Sequence, residues 1–471
     1  MRCEVARSPL ATREPRLEGL RVVVIGVGKS GLAAVRLAAS KGARVIAADR
    51  RTESELGDVA LDVRSTGAEL RAGGHPPEIV RGADLVVISP GVRTDLPAIA
   101  EARRLGIPVW GEIELAWRFC RGRVLGITGS NGKSTVTAMA GTMLRAAGIP
   151  GGTGGNLGTP LADLLAEDRP DAVHAVELSS FQLESIDRFR AEGAVVVNLS
   201  PDHLDRHESF DGYVRAKARL LTGQEAGGFA VLNADDPESA RLEPAVRARA
   251  YRFSTHAEVE RGATLRNGAL TLVLEHGAET LMPAGELSVP GEHNLANALA
   301  AALACRLLGC PAGTIASALR SYRALPHRLE HVRTLAGVAF YDDSKATNAD
   351  ATTRALRSFA PGTVHLILGG LDKGADWASL APDVARYARR VLLVGAAAPV
   401  IRAGLEGSAA LEDCGTVKAA VRSGFGGASP GEVVLLSPGC ASFDQYRNFA
   451  ERGRDFRAAV EALAAGRDAG A

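Results

Sequence analysis

Gly126-Ile127-Thr128-Gly129-Ser130-Asn131-Gly132-Lys133-Ser134-Thr135 follows the apolar pair Val124-Leu125 and leads into an alanine-rich stretch ending near Ala147. A short strand, a glycine-rich turn and a helix start together make a cradle for phosphate. Glycine lets the backbone wrap close to the anion, and N–H groups at the helix start point at it. In this pattern Lys133 reaches the β- and γ-phosphates and Ser134 touches Mg²⁺, with Gly129, Ser130, Asn131, Gly132 and Thr135 completing the loop. The consensus is not strict, because Ile127 stands where the first glycine would be. A plain glycine turn is the alternative; Gly-Lys-Ser-Thr at a strand-to-helix junction favours ATP.

On both sides of this loop, short β-branched runs alternate with alanine- and leucine-rich amphipathic stretches, the pattern of parallel sheets covered by helices. The clearest strands are 22–25, 45–48, 85–89, 124–128, 172–177 and 194–198, then 338–342, 364–368, 391–394 and 433–436. The rhythm breaks where the phosphate loop restarts it near residue 120. It breaks again at 251–290, where short alternating strands include an Asn267-Gly268 hairpin signal. A helix with Leu295, Leu299 and Leu303 at fourfold spacing then ends near Gly309, and the sheet pattern resumes after Leu325-Pro326. The prediction is an α/β chain of three domains. Residues 1–119 form a Rossmann-like domain whose first 19 residues are a flexible lead-in. Residues 120–324 form a central P-loop ATPase-like domain with a small β-sheet addition, and 325–471 a C-terminal Rossmann-like domain.

At 471 residues the length suits about three domains. A formal charge of +1 argues against a nucleic-acid binder. The six cysteines, at 3, 120, 305, 310, 414 and 440, form no C-x-x-C pair and read as reduced thiols of the cytoplasm. No apolar run approaches a membrane span, and the first twenty residues lack the core of a signal peptide. The expectation is a cytoplasmic monomer that handles small molecules.

Three features outside the phosphate loop carry chemistry. Glu177 ends a strand where a carboxylate can face the loop and hold Mg²⁺, although a strand-end charge needs no function. His203 and His207 are spaced like a zinc pair, but no H-E-x-x-H pattern or third partner supports zinc. Lys217 shares a helical face with Tyr213, Leu220 and Leu221, while Arg215 and Arg219 share another. A lysine on an apolar face must be paired, neutral, modified or snorkelling, and spacing alone leaves these open.

A second glycine loop, Gly26-Val27-Gly28-Lys29-Ser30-Gly31, follows the first strand, and Asp49 ends the next. This dinucleotide pattern supports a rival class, an NAD-dependent oxidoreductase. No hydride-transfer acid–base group lies nearby, and that reading leaves the second phosphate loop unexplained.

Together the motifs resemble the Mur ligases, and the later segments resemble the D-glutamate-adding branch. The resemblance rests on both glycine loops, Gly155-Asn156-Leu157-Gly158, Glu177-Leu178-Ser179-Ser180-Phe181-Gln182-Leu183-Glu184 and Asp202-His203-Leu204-Asp205-Arg206. It continues through Lys217, His293-Asn294-Leu295-Ala296-Asn297-Ala298, Leu325-Pro326-His327-Arg328 and Asp343-Ser344-Lys345-Ala346-Thr347-Asn348. Gly369-Gly370-Leu371-Asp372-Lys373, the segment from Ser437 to Phe449, and Glu451-Arg452-Gly453 complete it. The phosphate loop is shared with folylpolyglutamate synthases. The Asp-Ser-Lys-Ala-Thr-Asn and Ser-Pro…Ala-Ser-Phe-Asp-Gln segments belong to the D-glutamate type, and the Asp-Asn-Pro-Arg tetrapeptide of the diaminopimelate- and lysine-adding members is absent. Another Mur ligase or a folylpolyglutamate synthase-like ligase is the nearer alternative.

The resemblance implies ATP-dependent joining of D-glutamate to UDP-N-acetylmuramoyl-L-alanine through an acyl phosphate. It assigns the uridine substrate to Ser30, Asp49, Arg51, Ser89 and Asn156. ATP and Mg²⁺ fall to Lys133, Ser134, Glu177, His203 and Lys217, with Asn297 at the adenine and His327, Asp343 and Lys345 on the ATP side. D-Glutamate falls to Thr347, Lys373, Ser442 and Phe449, the last through its backbone. Lys133 and Lys345 would stabilise the transferring phosphoryl group, and Lys217 would carry a carbamate that joins Glu177 and His203 on the metal. Closure of the third domain would assemble the reaction centre.

Overall fold

The computed structural model describes Leu10, residues 13–156 and residues 158–468, without the side chains of Asp205 and 466–468. Leu157 of the Gly155–Gly158 motif and most of the first twelve residues lie outside them. The chain packs as two compact units, residues 1–286 with 296–321, and residues 287–295 with 322–471.

In the first strand, Arg21–Ile25, Val22 and Val24 enter one core and Val23 and Ile25 another. Successive side chains of a strand point to opposite faces, so a run buried throughout must be covered on both sides, as parallel sheets are. The first sheet accordingly has the order Glu69–Ala72, Arg44–Asp49, Arg21–Ile25, Leu85–Ile88, Val109–Gly111, all parallel. This is a Rossmann-like order, and the Gly26–Gly31 loop leaves the central strand at its carboxyl end.

The second sheet has nine strands, in the order Gly277–Pro283, Ala269–Leu274, Gly262–Arg266, Arg249–Ser254, Phe229–Asn233, Gly193–Val196, Arg123–Thr128, Val173–Glu177 and Thr153–Gly155. Six parallel strands carry the phosphate loop, and the first three form the expected β addition with antiparallel pairing. Asn267 and Gly268 both have positive φ, 50° and 73°, as the tight turn between two of these strands requires. In the second unit, six strands run Glu330–Leu335, Val338–Asp342, Val433–Leu436, Val364–Gly369, Ala388–Val394, Ala410–Gly415, parallel except for the first. Leu366 and Leu435 face one core; Ile367 and Leu436 face the other.

Within the first unit a single apolar cluster runs from Val22 and Trp110 through Val124 to Leu221, so the first two sheets share a core. A polar joint lies beside it. Glu114 Oε2 accepts the N–H groups of Asp187, Arg188 and Phe189 at 2.9, 3.0 and 2.8 Å, while Oε1 takes Arg118 Nε at 2.7 Å. Arg118 lies over the Trp110 ring and also donates to Asp187 and to the Leu10 carbonyl. The expected lead-in falls partly on residues that are not described. Of the others, Leu10 and Leu17 are buried and Arg13 sits over the Trp117 ring.

No helix among the described residues is long and apolar enough to cross a membrane.

Candidate active site

The phosphate loop leaves the strand Arg123–Thr128 and enters the helix Lys133–Ala146. Gly129 and Gly132 have φ of 150° and 82°, a turn that L side chains rarely adopt. A Cβ on Gly132 would also lie 2.4 Å from Asn297 Oδ1, so the assigned adenine residue already abuts the loop. Lys133 folds back on the turn, its ammonium donating to the Gly129 and Ser130 carbonyls at 2.8 Å each.

Neighbouring segments clamp the loop. Asn198 Oδ1 accepts the Asn131 N–H at 2.8 Å, and its amide donates to the Asn131 carbonyl at 3.0 Å. Ser130 Oγ donates to the Ser200 carbonyl at 2.9 Å, so the Tyr213 hydroxyl, also at 2.9 Å, is the donor to Ser130. Sequence reading placed Tyr213 only on an apolar face and gave Asn198 no role. A side chain that shapes a backbone from another element leaves no local pattern.

Glu177 ends the adjacent strand, buried, between the Ser134 hydroxyl and the Asn156 amide, the latter at 2.8 Å. Three residues that the sequence assigned to metal or uridine substrate thus meet at one carboxylate. Lys217 is 1% exposed on the helix Phe210–Thr222, 4.6 Å from the Tyr213 ring centroid. Its ammonium donates to the Gly129 carbonyl at 2.8 Å and to Thr128 Oγ1 at 3.3 Å. Lys133 and Lys217 therefore share one carbonyl oxygen. Burial, reinforced by the charge of Lys133, holds the Lys217 amine well below the ordinary lysine range. Arg215 and Arg219, on the other face that the helical spacing gave them, are exposed.

His203 has φ 53° and caps the short helix Leu204–His207, its half-exposed ring 4.8 Å from that of Phe181. His207 stacks on the same ring and meets Ser180 Oγ at 3.0 Å, and burial lowers its pKa. His203 Nε2 lies 3.7 Å from Asp202 Oδ2, and among the described residues neither histidine belongs to a cluster of three metal-ligating side chains. Arg206 lies over Phe181, pairs with Glu184 at 2.8 Å and donates to the Val92 carbonyl at 3.0 Å. It ties this segment to the loop after Ser89.

The first glycine loop is built differently. Asp49 Oδ2 accepts the Val27 N–H at 2.8 Å and Arg51 Nη2 at 3.0 Å; Oδ1 accepts Arg51 N and Nε, both at 3.0 Å. Burial raises the Asp49 pKa, but the hydrogen bonds from Arg51 and Val27 outweigh it and hold the carboxyl at about 2. Each oxygen is already engaged twice, which counts against the ribose-diol grip of a dinucleotide enzyme. Ser89 Oγ donates to the Gly26 carbonyl at 2.8 Å, whereas a Cβ on Gly28 would meet nothing within 4 Å. Ser30 is half-buried at the start of the helix Lys29–Ser40.

In the second unit, His327 Nδ1 pairs with Asp342 Oδ2 at 2.6 Å, and Lys345 N donates to the His327 carbonyl at 3.1 Å. Asp343 accepts Leu329 N and Ser437 Oγ; burial nevertheless pushes its carboxyl up to about 7. The Lys345 ammonium lies 4.2 Å from the Phe449 ring centroid, and Ser344 Oγ donates to the Phe449 carbonyl at 2.7 Å. Leu371 and Ala441 exchange backbone hydrogen bonds of 2.9 and 3.1 Å, setting the loop of exposed Lys373 beside that of buried Ser442. Thr347 is half-buried.

Family models match most of the chain: "Mur ligase MurD-like, N-terminal domain" over residues 20–111, "Mur ligase middle domain" over 127–305 and "Mur ligase, glutamate ligase domain" over 327–440. A Solibacter usitatus protein named UDP-N-acetylmuramoylalanine--D-glutamate ligase is 45% identical over 95% of this chain and 99% of its own length. A protein of the same name from Myxococcus xanthus is 44% identical, again over 95% and 99%. Among solved structures, the UDP-N-acetylmuramate-alanine ligase of Thermotoga maritima aligns with TM-score 0.59 at 20% identity, over 94% of this chain and all of that one. The last likeness is one of fold; the sequence relatives carry the kinship, and the chain belongs to the Mur ligase family.

Proposed function

We propose that the chain joins the amine of D-glutamate to the L-alanyl carboxylate of UDP-N-acetylmuramoyl-L-alanine, using ATP, in the synthesis of peptidoglycan precursor in the cytoplasm. The observation that carries this reading is the buried cluster on the phosphate loop. Two lysines, a carboxylate and a hydroxyl converge on one turn, more than a nucleotide-binding regulator would need. The names of relatives that are 40–45% identical support the choice of substrates.

A carboxylate resists attack by an amine because its oxygen is a poor leaving group. Transfer of the γ-phosphoryl group to the L-alanyl oxygen makes an acyl phosphate. The D-glutamate amine then attacks the carbonyl carbon, the C–O bond to phosphate breaks, and the amine loses a proton. Lys133 and Lys345 offset the charge on the transferring group. The hard oxygen donors of Ser134 and Glu177 fit Mg²⁺, which when bound supplies further charge neutralisation. His203 and a carbamate on Lys217 complete the ligand set in this reading.

Two cations on one carbonyl support the carbamate. Repulsion and burial favour the neutral Lys217 amine, which adds carbon dioxide and releases a proton. An ammonium is thereby replaced by an anion with two oxygens. In the first lobe Ser30, Arg51 and Ser89 hold the uridine diphosphate, with Asp49 fixing Arg51 and the loop; Asn156 also contacts this substrate. Asn297, His327 and Asp343 serve ATP, and Thr347, Lys373, Ser442 and Phe449 serve D-glutamate.

The test is to incubate the protein with ATP, Mg²⁺, the uridine substrate and a panel of amino acids, and to weigh the product. Phosphate release should require both co-substrates, with D-glutamate strongly preferred to L-glutamate, L-alanine and diaminopimelate. Equal turnover of an amino acid lacking the second carboxylate would sink the assignment.

A further inference from the structure

A guanidinium that forms no direct ion pair among the described residues lies buried in the second unit. Arg452 sits in the first turn of the helix Phe449–Asp468 and is 1% exposed. Its Nε donates to Ser344 Oγ at 3.0 Å, and Nη2 to the carbonyls of Ser344 and Cys440 at 2.8 and 3.0 Å. Nη1 donates to the Ala441 carbonyl at 3.3 Å. Among the described residues no carboxylate forms an ion pair with it. Gly370 lets the group approach a third segment, since a Cβ there would lie 3.1 Å from Nη1 and 2.3 Å from the Ala441 oxygen.

The segments gathered by this one side chain are those of Lys345 and Thr347, of Lys373, and of Ser442. Its own helix begins at Phe449. A planar fork of five donors can face several carbonyls at once, which the tetrahedral ammonium of lysine cannot reproduce. Burying a cation without a counter-ion is costly. Here the charge meets carbonyl oxygens directly and the carboxylates of Asp444 and Asp342 only at longer range, behind the loops on which the amino-acid ligands sit. Burial lowers the guanidinium pKa only to about 10, so it stays charged at neutral pH.

We propose that Arg452 is the positioning residue of the amino-acid site. It fixes the three segments relative to one another, and its buried positive charge favours an incoming amino acid with two carboxylates. This rests on the reading that the site takes D-glutamate.

The experiment compares wild type with Arg452→Met, Arg452→Lys and a control, Arg454→Met, at an exposed position of the same helix. Phosphate release is measured with each of the three substrates varied in turn, and D-alanine is tested against D-glutamate. Arg452→Met should raise the KM for D-glutamate about tenfold to a hundredfold, with the KM for ATP and for the uridine substrate nearly unchanged. Its preference for D-glutamate over D-alanine should narrow. Arg452→Lys should keep the preference and recover part of the affinity, and Arg454→Met should match wild type. An equal rise in all three constants, or an unchanged D-glutamate KM, overturns the proposal. If Arg452→Met fails to fold, Arg452→Lys still decides by the same constant. Wild-type protein indifferent to D-glutamate overturns the functional reading and this one together, whereas a responsive wild type with unresponsive variants overturns this one alone.

Discussion

The first unit holds two glycine loops of the same backbone design and different chemistry. Each leaves a central parallel strand and enters a helix, and each has an acidic residue at the end of a neighbouring strand. In the first loop that acid, Asp49, is spent on its own protein: it binds the Val27 N–H and clamps Arg51. In the second, Glu177 meets a hydroxyl and an amide, while two lysines crowd the Gly129 carbonyl. On the proposed reading the first loop is a holder for a diphosphate that does not react. The second concentrates charge where charge must move.

The largest effect expected from this contrast is at Lys217. Lys217→Ala should lower kcat by about a thousandfold or more, measured as phosphate release with both co-substrates saturating. Millimolar formate or acetate should restore part of it by filling the vacated anion site. An alanine variant with full activity would erase the distinction between the loops.

Next in size is a pH effect at the joint between the two loop-bearing sheets. Glu112 Oε1 accepts the Gln182 amide at 2.7 Å, and Oε2 has no partner. Burial pushes the carboxyl up to about 7 from 4.5, so the folded state binds a proton that the unfolded state has lost. Stability is therefore greatest below pH 4.5 for this group and is lost as pH rises through about 7, by about 3 kcal/mol at most. Glu112→Gln keeps the hydrogen bond and should flatten that slope between pH 5 and 7.5 in denaturant titrations; a parallel slope would show that Glu112 is ionised in the fold.

A pair of glycine variants sharpens the picture of the first loop. A Cβ on Gly31 would lie 1.8 Å from the Gly26 carbonyl, whereas Gly28 faces open space. Gly31→Ala should cost about 1–3 kcal/mol of stability, read by thermal unfolding, and Gly28→Ala less than about 0.5 kcal/mol. Gly28→Ala should instead weaken binding of the uridine substrate, because the open space is where the diphosphate would lie. Equal destabilisation by the two would contradict that division.

The smallest effect is at Asp49. Asp49→Asn should raise the KM for the uridine substrate roughly tenfold, because Arg51 loses a charge-assisted clamp, and leave the KM for ATP unchanged. NAD should show no heat of binding in calorimetry. Tight NAD binding abolished by the same substitution would reverse the reading of this loop.

Much of the fold was legible because apolar runs of β-branched residues, punctuated by glycine, can be little else than buried parallel strands. Strands such as Glu69–Ala72 and Ala410–Gly415 were not singled out: they carry exposed charged residues at a sheet edge. The central site was legible where chemistry concentrates in a short motif, as at Lys133 and Ser134. Lys217 could be flagged from helical spacing, but its shared carbonyl with Lys133 could not, because that contact spans two elements. Arg452 left no signal beyond its motif. An arginine that faces carbonyls reads in sequence like any charged residue on a helix.

The Glu114 carboxylate has a kinetic consequence. The amides of Asp187, Arg188 and Phe189 belong to a connection between a helix and a strand, where backbone N–H groups ordinarily exchange with solvent in brief local openings. Here all three point at one oxygen of a fully buried side chain from the neighbouring sheet's domain. Releasing any of them exposes part of a charged group inside the protein, so opening this loop is coupled to separating the first two lobes. These loop protons should exchange as slowly as those of the core strands, and the two lobes should melt together.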